Sequence, residues 1–386
     1  MGYSSHDDLI NQITTNGKYL RRELSKNSGT VHTAGGWHLT VGMAGNPNAG
    51  TFPATQDLVF STCTETSGDG TTVIGMQHGG LPGGTATKHL LNIGATIVGA
   101  AGAPWILKLV DIQAYYRMAT TNVTGTGSRT LINSNTFTAS SSGGLLLTYT
   151  NDFKTFSKVR FTTTTTLPTG LSLATDYWIV RQSATTCNVA TSLANAIAGT
   201  FIAYTDAGTG THTMTMQMPR AQDGVGCQAF FVSQTAPTGG GPNLSASSYT
   251  STAGTAGRAF QGSPTMGAAA DAYANRVLHS GNASGRYGAF LPLQGGDTGI
   301  KSIESFTWSG GTAYTGSGVT ALVIAKPLAD IMIPITGVWS ERDLVNQLPS
   351  LPKIEDGACL AWMLFGTGAT TASSPIVSSL DFGWGG

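Results

Sequence analysis

Charge is what this chain has least of. Only 20 basic and 20 acidic residues occur in 386, a charged fraction of 10%, and the formal net charge is zero. Neither sign forms a run, which excludes the electrostatic footprint of a nucleic-acid binder. Cysteine is equally scarce. Cys63, Cys187, Cys227 and Cys359 lie far apart with no CxxC pair, so neither a zinc site nor a dense disulfide framework is indicated, and buried thiols are expected. Long hydrophobic runs are missing as well: the most apolar stretch, 93–110, is rich in Gly and Ala, contains Pro104 and Lys108, and is too short to span a bilayer. The opening MGYSSHDDLI has two acids where a secretory signal needs bases and an apolar core, and it does not fit the myristoylation pattern.

The signatures of catalysis are absent in the same way. The chain has no GxSxG elbow, Walker P-loop, GxGxxG after a strand, HExxH or EF-hand loop. His78 and His89, with Asp111 or Asp69, are a conceivable metal set, but two histidines across a Gly-Pro turn read better as hydrogen-bonded hairpin residues. Asp223-Gly224 and Asp356-Gly357 are turn signals before apolar strands. A glycosidase needs two carboxylates in an aromatic-lined cleft. Glu304, Glu341, Glu355 and Asp381 supply acids, and Trp308, Trp339, Trp362 and Trp384 supply aromatics, yet Trp362 and Trp384 sit in strand-like apolar runs that read as core. Sugar binding without hydrolysis is the stronger form of that idea. The expectation is a protein that is not an enzyme, with no catalytic residue, cofactor or metal.

What the chain does have is 52 glycines and an abundance of Thr, Ser and Ala. Its exterior must therefore be built from hydroxyl, amide and small apolar groups, which suits packing into an assembly. Short runs of β-branched and aromatic residues between Gly, Pro, Asp and Asn turns predict a mainly β fold of sandwich or barrel type. At the N-terminus, Ser4 or Ser5 can cap a helix whose first turn holds Asp7 and Asp8. Leu9, Ile13, Leu20 and Leu24 recur at roughly helical spacing, so residues 1–30 read as an amphipathic arm, with Gly17 as an early break. Such an arm docks either on the protein's own sheet edge or on a neighbouring subunit.

Three internal echoes suggest a duplication. PRAQDGVGCQAFF (219–231) matches PKIEDGACLAWM (352–363), WILKLVDI (105–112) resembles LVIAKPLADI (322–331) with Lys108 against Lys326 and Asp111 against Asp330, and SHDDLINQI (5–13) matches SERDLVNQL (340–348). These predict two related, jelly-roll-like β-sandwich halves, residues 31–117 with 219–265 and residues 266–386. They also predict two similar helices, the second presenting Leu344 and Leu348 as Leu9 and Ile13 are presented in the first.

Residues 118–218 differ in composition, being dominated by Thr, Ser and Asn, and are expected to be an inserted Ig-like β-domain. Within it, LPTGLS, DYWIV, CNVA and GTFIAYTDAGTGTH are followed by an alternation that puts Met214, Met216 and Met218 on one strand face. This stretch resembles a small module that recurs in tail and virion proteins of tailed bacteriophages. The surrounding chain resembles a set of bacteriophage virion proteins through SSHDDLIN (4–11), QHGG…TKHLLN (77–92), ERDLVNQLPSLP (341–352) and LDFGW (380–384).

The resemblance implies a structural component of the virion, assembled in the host bacterial cytoplasm. A long spine helix of the usual major capsid protein is not predicted by any stretch of the sequence. The first expectation is a head decoration or minor capsid protein, and the alternative is a tail or fibre-base protein that recognises carbohydrate or a receptor, with the insert a candidate for contacting host surface glycan. Implied partners are further copies of the chain, a trimer being one form, and other virion proteins such as the major capsid protein. Nucleic acid and membrane are not among them. Leu9, Ile13, Leu20, Leu24, Leu344 and Leu348 are the candidate subunit contacts.

Overall fold

A computed structural model describes residues 3–27, 32, 34–52, 57–61, 64–66, 72–76, 78, 87–100, 102–118, 122–123, 127–140, 147–149, 153–234, 242–265, 275–280, 288–309, 314–315, 320–346, 351–370 and 374–385. The chain is mainly β, as its alternating runs require. At its centre six strands form a closed ring: Thr320–Ile333, Gln228–Ser233, Arg276–Val277, Trp37–Leu39, Leu360–Gly366 and Trp105–Arg117, with the last pairing back to the first. All six contribute to one apolar cluster, including Leu39, Ile112, Phe230, Val277, Val323 and Met363, which fills the ring. A closed sheet has no unpaired edge to protect.

The outside of the ring is also apolar, because successive strand residues point to opposite faces. On one side Leu107, Leu109, Trp362 and Leu364 pack against a sheet ordered Ser340–Asp343, Thr87–Ile97, Pro375–Gly385, Tyr19–Asn27 and Ala44–Asn46. On the other, Tyr116, Phe231, Leu322 and Ile324 pack against a small sheet of Gly127–Thr130, Ile300–Ser309 and Asn243–Ser251. The body is thus three layers, and both of its larger sheets draw strands from early and late in the chain. The division into two halves is therefore corrected: 31–117 with 219–265 and 266–386 do not form separate sandwiches.

The echoes have a different meaning. The two similar strands pair with each other, antiparallel, placing Lys108 opposite Asp330 and Asp111 opposite Lys326. Each base of one copy faces the acid of the other, and Lys108 Nζ lies 3.5 Å from Asp330. The Asp-Gly-Cys segments become the outer neighbours of this pair, Gln228–Ser233 on one flank and Leu360–Gly366 on the other. Their cysteines face opposite ways, Cys227 outward and Cys359 into the ring. The first copy has one more residue between the Asp-Gly turn and the cysteine, and with a period of two a single residue reverses the face.

The third echo is corrected most plainly. Ser5 caps a helix, His6–Thr14, accepting a 3.0 Å hydrogen bond from Asp8 N, whereas the matching Ser340–Asp343 is a strand paired with residues 92–95. Tertiary pairing overrides a local preference worth less than ~1 kcal/mol per residue. The first helix is also shorter than the spacing suggested. Gly17, at φ 62°, turns the chain, and Tyr19–Asn27 continues as a strand, so Leu20 and Leu24 are strand residues.

The inserted region holds a second closed barrel, ordered Ser134–Ala139, Leu147–Tyr149, Thr186–Ala190, Tyr177–Arg181, Lys158–Thr163 and His212–Met216. Phe137, Phe161, Tyr177, Ile179, Val189 and Met214 are in its core. The barrel starts later than residue 118, because Gly127–Thr130 pairs with Ser305–Trp308 of the body and Leu131 is buried there. Met214 belongs to the barrel and Met218 to the body, so the methionine alternation crosses the boundary. Among the described residues no helix is long and apolar enough to cross a membrane.

Candidate interaction face

The outer side of this sheet, which Lys353–Ile354 joins as a sixth strand beside Thr87–Ile97, carries a polar plate. Directly paired residues share a face, which sets Arg21, Asp381, Asn92 and Asp343 in one row and Glu23, Ser379, Gly94 and Glu341 in the next. Asp381 is at the centre and its side chain is almost buried. It accepts hydrogen bonds from Tyr19 Oη at 2.8 Å and Asn92 Nδ2 at 3.1 Å, and Arg21 Nε lies 3.4 Å away. Burial, together with the Asp381 carboxylate, raises the Tyr19 phenol above its ordinary value, so it stays a donor. Arg21 also donates to Ser379 Oγ at 3.3 Å and lies 3.8 Å from Glu341.

Trp339 forms the rim. Its ring lies over Gly94, where a Cβ would sit 2.5 Å from Cζ2, so only glycine leaves room for the indole. The indole Nε1 donates to Glu341 at 2.9 Å, yet the side chain is 40% exposed. The turn before it is held to the end of strand Thr87–Ile97 by Gly337 N donating to Ile97 O at 2.8 Å. This gathers Val98, Ile335 and Val338 beside Trp339, each exposed by 43% or more. The result is an apolar corner next to a preorganised polar plate. Tyr19, Asn92 and Arg21 fix the Asp381 carboxylate within this plate.

The sequence-predicted contact residues are elsewhere. Leu9 is buried beneath the N-terminal helix, which lies against strand Pro375–Gly385, with Tyr3 Oη over Gly383. Leu24 and Leu344 are buried in the cluster between ring and sheet, and Leu20 packs on its edge. These side chains are used by the chain's own core, and of the two docking modes left open for the arm, they occupy the intramolecular one. Ile13 is half-buried, while Ile10 on the same helix is 57% exposed. Leu348 lies outside the described residues.

Of the tryptophans and acids considered for sugar contact, Trp339, Glu341 and Asp381 come together. Trp308 and Trp362 are core, Trp362 Nε1 donating to Ser378 Oγ at 2.9 Å, and Trp384 is half-buried under Lys88. Glu304 accepts from the hydroxyls of Ser248, Thr250 and Ser302, and Glu355 pairs with Lys353 at 2.7 Å. His78 is buried near Phe382, His89 contacts Tyr3, and Asp69 lies outside the described residues. Among the described residues no group of three or more His, Cys, Asp or Glu comes together as a metal set. Cys187, Cys227 and Cys359 are free and buried, and burial raises the thiols of Cys187 and Cys227 to about 12. Cys63 lies outside the described residues.

Sequence reasoning missed a buried ion pair. Asp111 and Arg220 form a bidentate pair, Nη2 to Oδ1 at 2.8 Å and Nε to Oδ2 at 2.9 Å, with both side chains almost fully buried. Cys359 N and Gln113 Nε2 also donate to Asp111, and Arg220 reaches the carbonyls of Phe60 and Ile112. The available signal was an aspartate inside a 13-residue apolar strand, which must find a cation. No family model matches the chain, and no curated protein is similar to it.

Proposed function

We propose that this chain is a non-enzymatic structural component of a tailed-bacteriophage virion, a head decoration or minor capsid protein that works by packing against neighbours. The observation that carries the reading is the exposed corner of Val98, Ile335, Val338 and Trp339 on a molecule with so few charges. Tryptophan is among the residues most often central to an interface, and an apolar centre bordered by polar groups is the usual anatomy of one. The resemblance of segments 4–11, 77–92, 341–352 and 380–384 to virion proteins supplies the setting. Neighbours are further copies of the chain, a trimer being one arrangement, and the major capsid protein, and a stable contact needs about 1,600 Å².

A second reading is favoured by Trp339 standing beside Glu341, Asn92 and Asp381. An aromatic face with planar hydrogen-bonding groups also suits a sugar ring, as in a tail or fibre-base protein that recognises carbohydrate. Antibody labelling of intact particles separates the two. Signal spread over the head supports the first, signal at the tail supports the second, and particles free of the chain contradict both.

A further inference from the structure

The turn between helix His6–Thr14 and strand Tyr19–Asn27 holds the only Asn-Gly step in the sequence, Asn16-Gly17. We propose that this step deamidates spontaneously and that the product undoes a hydrogen-bonded row that stiffens the N-terminal arm. The reaction needs no enzyme and no cofactor. Gly17 N attacks Asn16 Cγ to close a cyclic imide, and the Cγ–Nδ2 bond breaks to release ammonia, which carries off the Gly17 amide proton. Water then adds to either imide carbonyl. The outcome is an aspartate or, with the main chain rerouted through Cβ and Cγ, an isoaspartate.

The geometry leaves the attacking amide unengaged. Lys18 N donates to Gln12 O at 2.9 Å and Asn16 N to Asn11 O at 3.1 Å, but Gly17 N, between them, has no acceptor among the described residues. Asn16 and Gly17 are both exposed, and a Cβ built on Gly17 would meet nothing within 4 Å, so the imide closes into open space. Glycine also lacks the Cβ that crowds the amide of other residues, and its φ of 62° suits glycine best. Comparable steps are blocked. Gly224 N, after Asp223, donates to Ala221 O at 3.1 Å, and Ala196 N, after Asn195, donates to Ser192 O at 2.9 Å. Gly357 N donates to Asp356 Oδ1 at 3.1 Å, and a carboxylate is a poor electrophile in any case.

The amide that would be lost has a structural task. Side chains four residues apart share a helix face, and here they form a row: Ser4 N and Oγ donate to Asp8 Oδ2 at 2.8 and 3.1 Å, Gln12 Nε2 to Asp8 Oδ1 at 3.0 Å, and Asn16 Nδ2 to Gln12 Oε1 at 3.1 Å. Gln12 first, then Ser4, hold the Asp8 carboxyl below its ordinary value, so it stays an acceptor. Deamidation replaces the last donor of the row by a carboxylate oxygen, which then faces Gln12 Oε1. Turning the Gln12 amide over would only set its oxygen against Asp8. The new charge also stands at the negative end of the helix dipole. The arm is thus loosened where it joins the strand that begins at Tyr19, by chemistry that does not depend on the virion reading.

The test is incubation of the full chain in neutral and in mildly alkaline buffer, followed by peptide mass spectrometry for acid and isoaspartate at position 16 and by hydrogen exchange of amides 6–14. Conversion of Asn16 in the folded chain is expected, faster by up to about tenfold per unit of pH because the amide anion is the attacking species. Asn16→Gln, whose longer side chain closes the imide poorly, should stay unmodified. Asn16→Asp, made directly, should exchange about two- to fivefold faster over the helix than the fresh natural chain, the size expected of an opposed charge at a helix end. Asn16 remaining intact in the folded chain, or equal conversion in Asn16→Gln, overturns the site. Equal exchange in Asn16→Asp and the natural chain overturns its coupling to the arm.

Discussion

The molecule contains two closed six-strand barrels that were assembled in opposite ways. The inserted one takes all of its strands from residues 134–216, so its partners are local. The central ring takes strands from Trp37–Leu39 to Leu360–Gly366, and several of its pairings join residues more than 200 apart. Both units bury charge. The body holds the Asp111–Arg220 pair, Lys26 on the carbonyls of Met43, Pro47 and Asn48, and Lys88 donating to His78 O, and the barrel holds Lys158, 3.0 Å from Asp176. Burial lowers Lys26 and Lys88 to about 8. Of these, the Asp111–Arg220 pair joins segments 109 residues apart, whereas Lys26 and Lys88 fold nearby loops onto their own strands, across 17 to 22 residues for Lys26 and 10 for Lys88. The barrel, whose strand partners are nearer in sequence than those of the ring, should fold faster.

Acid breaks the comparison most strongly. Burial lowers His32 and His78 to about 4 and His279 to about 3, and His38 is held well below its usual value by burial, then by His32 and Arg276. All four belong to the body. A histidine lowered by folding contributes stability that is complete above about 6.5 and is lost as the pH falls toward about 4. With each unit worth about 1.4 kcal/mol, the body should unfold in that window by several kcal/mol of lost stability. Near-ultraviolet circular dichroism across pH 7 to about 4 should show the body signal going first; simultaneous loss of both units would remove the distinction.

Arg220→Ala comes next. It leaves Asp111 buried without its cation, which costs about 3–5 kcal/mol. Scanning calorimetry should show the body transition moving to lower temperature while the barrel transition stays in place. The reverse experiment, Ile179→Val in the barrel core, should cost about 0.5–1.5 kcal/mol in the barrel transition alone.

The same contrast decides what was legible in the sequence. Barrel strands such as Tyr177–Arg181 and Thr186–Ala190 stood out because their apolar runs and their turns are contiguous. Body strands such as Trp105–Arg117 and Thr320–Ile333 were also legible as strands, but not as partners. Their likeness suggested two copies in two halves, whereas complementary Lys and Asp positions bring them side by side. The motif shared by residues 5–13 and 340–348 misled for a related reason: a short pattern does not choose between helix and strand when pairing with residues 92–95 is available. Trp339 was visible as an aromatic, but its exposure depends on Gly94 lying opposite, across a sheet pairing that no local pattern encodes.

Packing through the Trp339 corner predicts a modest stability cost when that residue is altered, about 0.5–3 kcal/mol because the indole lies on Gly94 and donates to Glu341, but a large change in association. The direct measurement is co-sedimentation of purified chain with virus particles stripped of it, comparing the natural sequence with Trp339→Ala. Saturable rebinding by the former and its loss in the latter is the predicted result. Equal rebinding by both, or none by either together with a monomeric natural chain, would contradict the account.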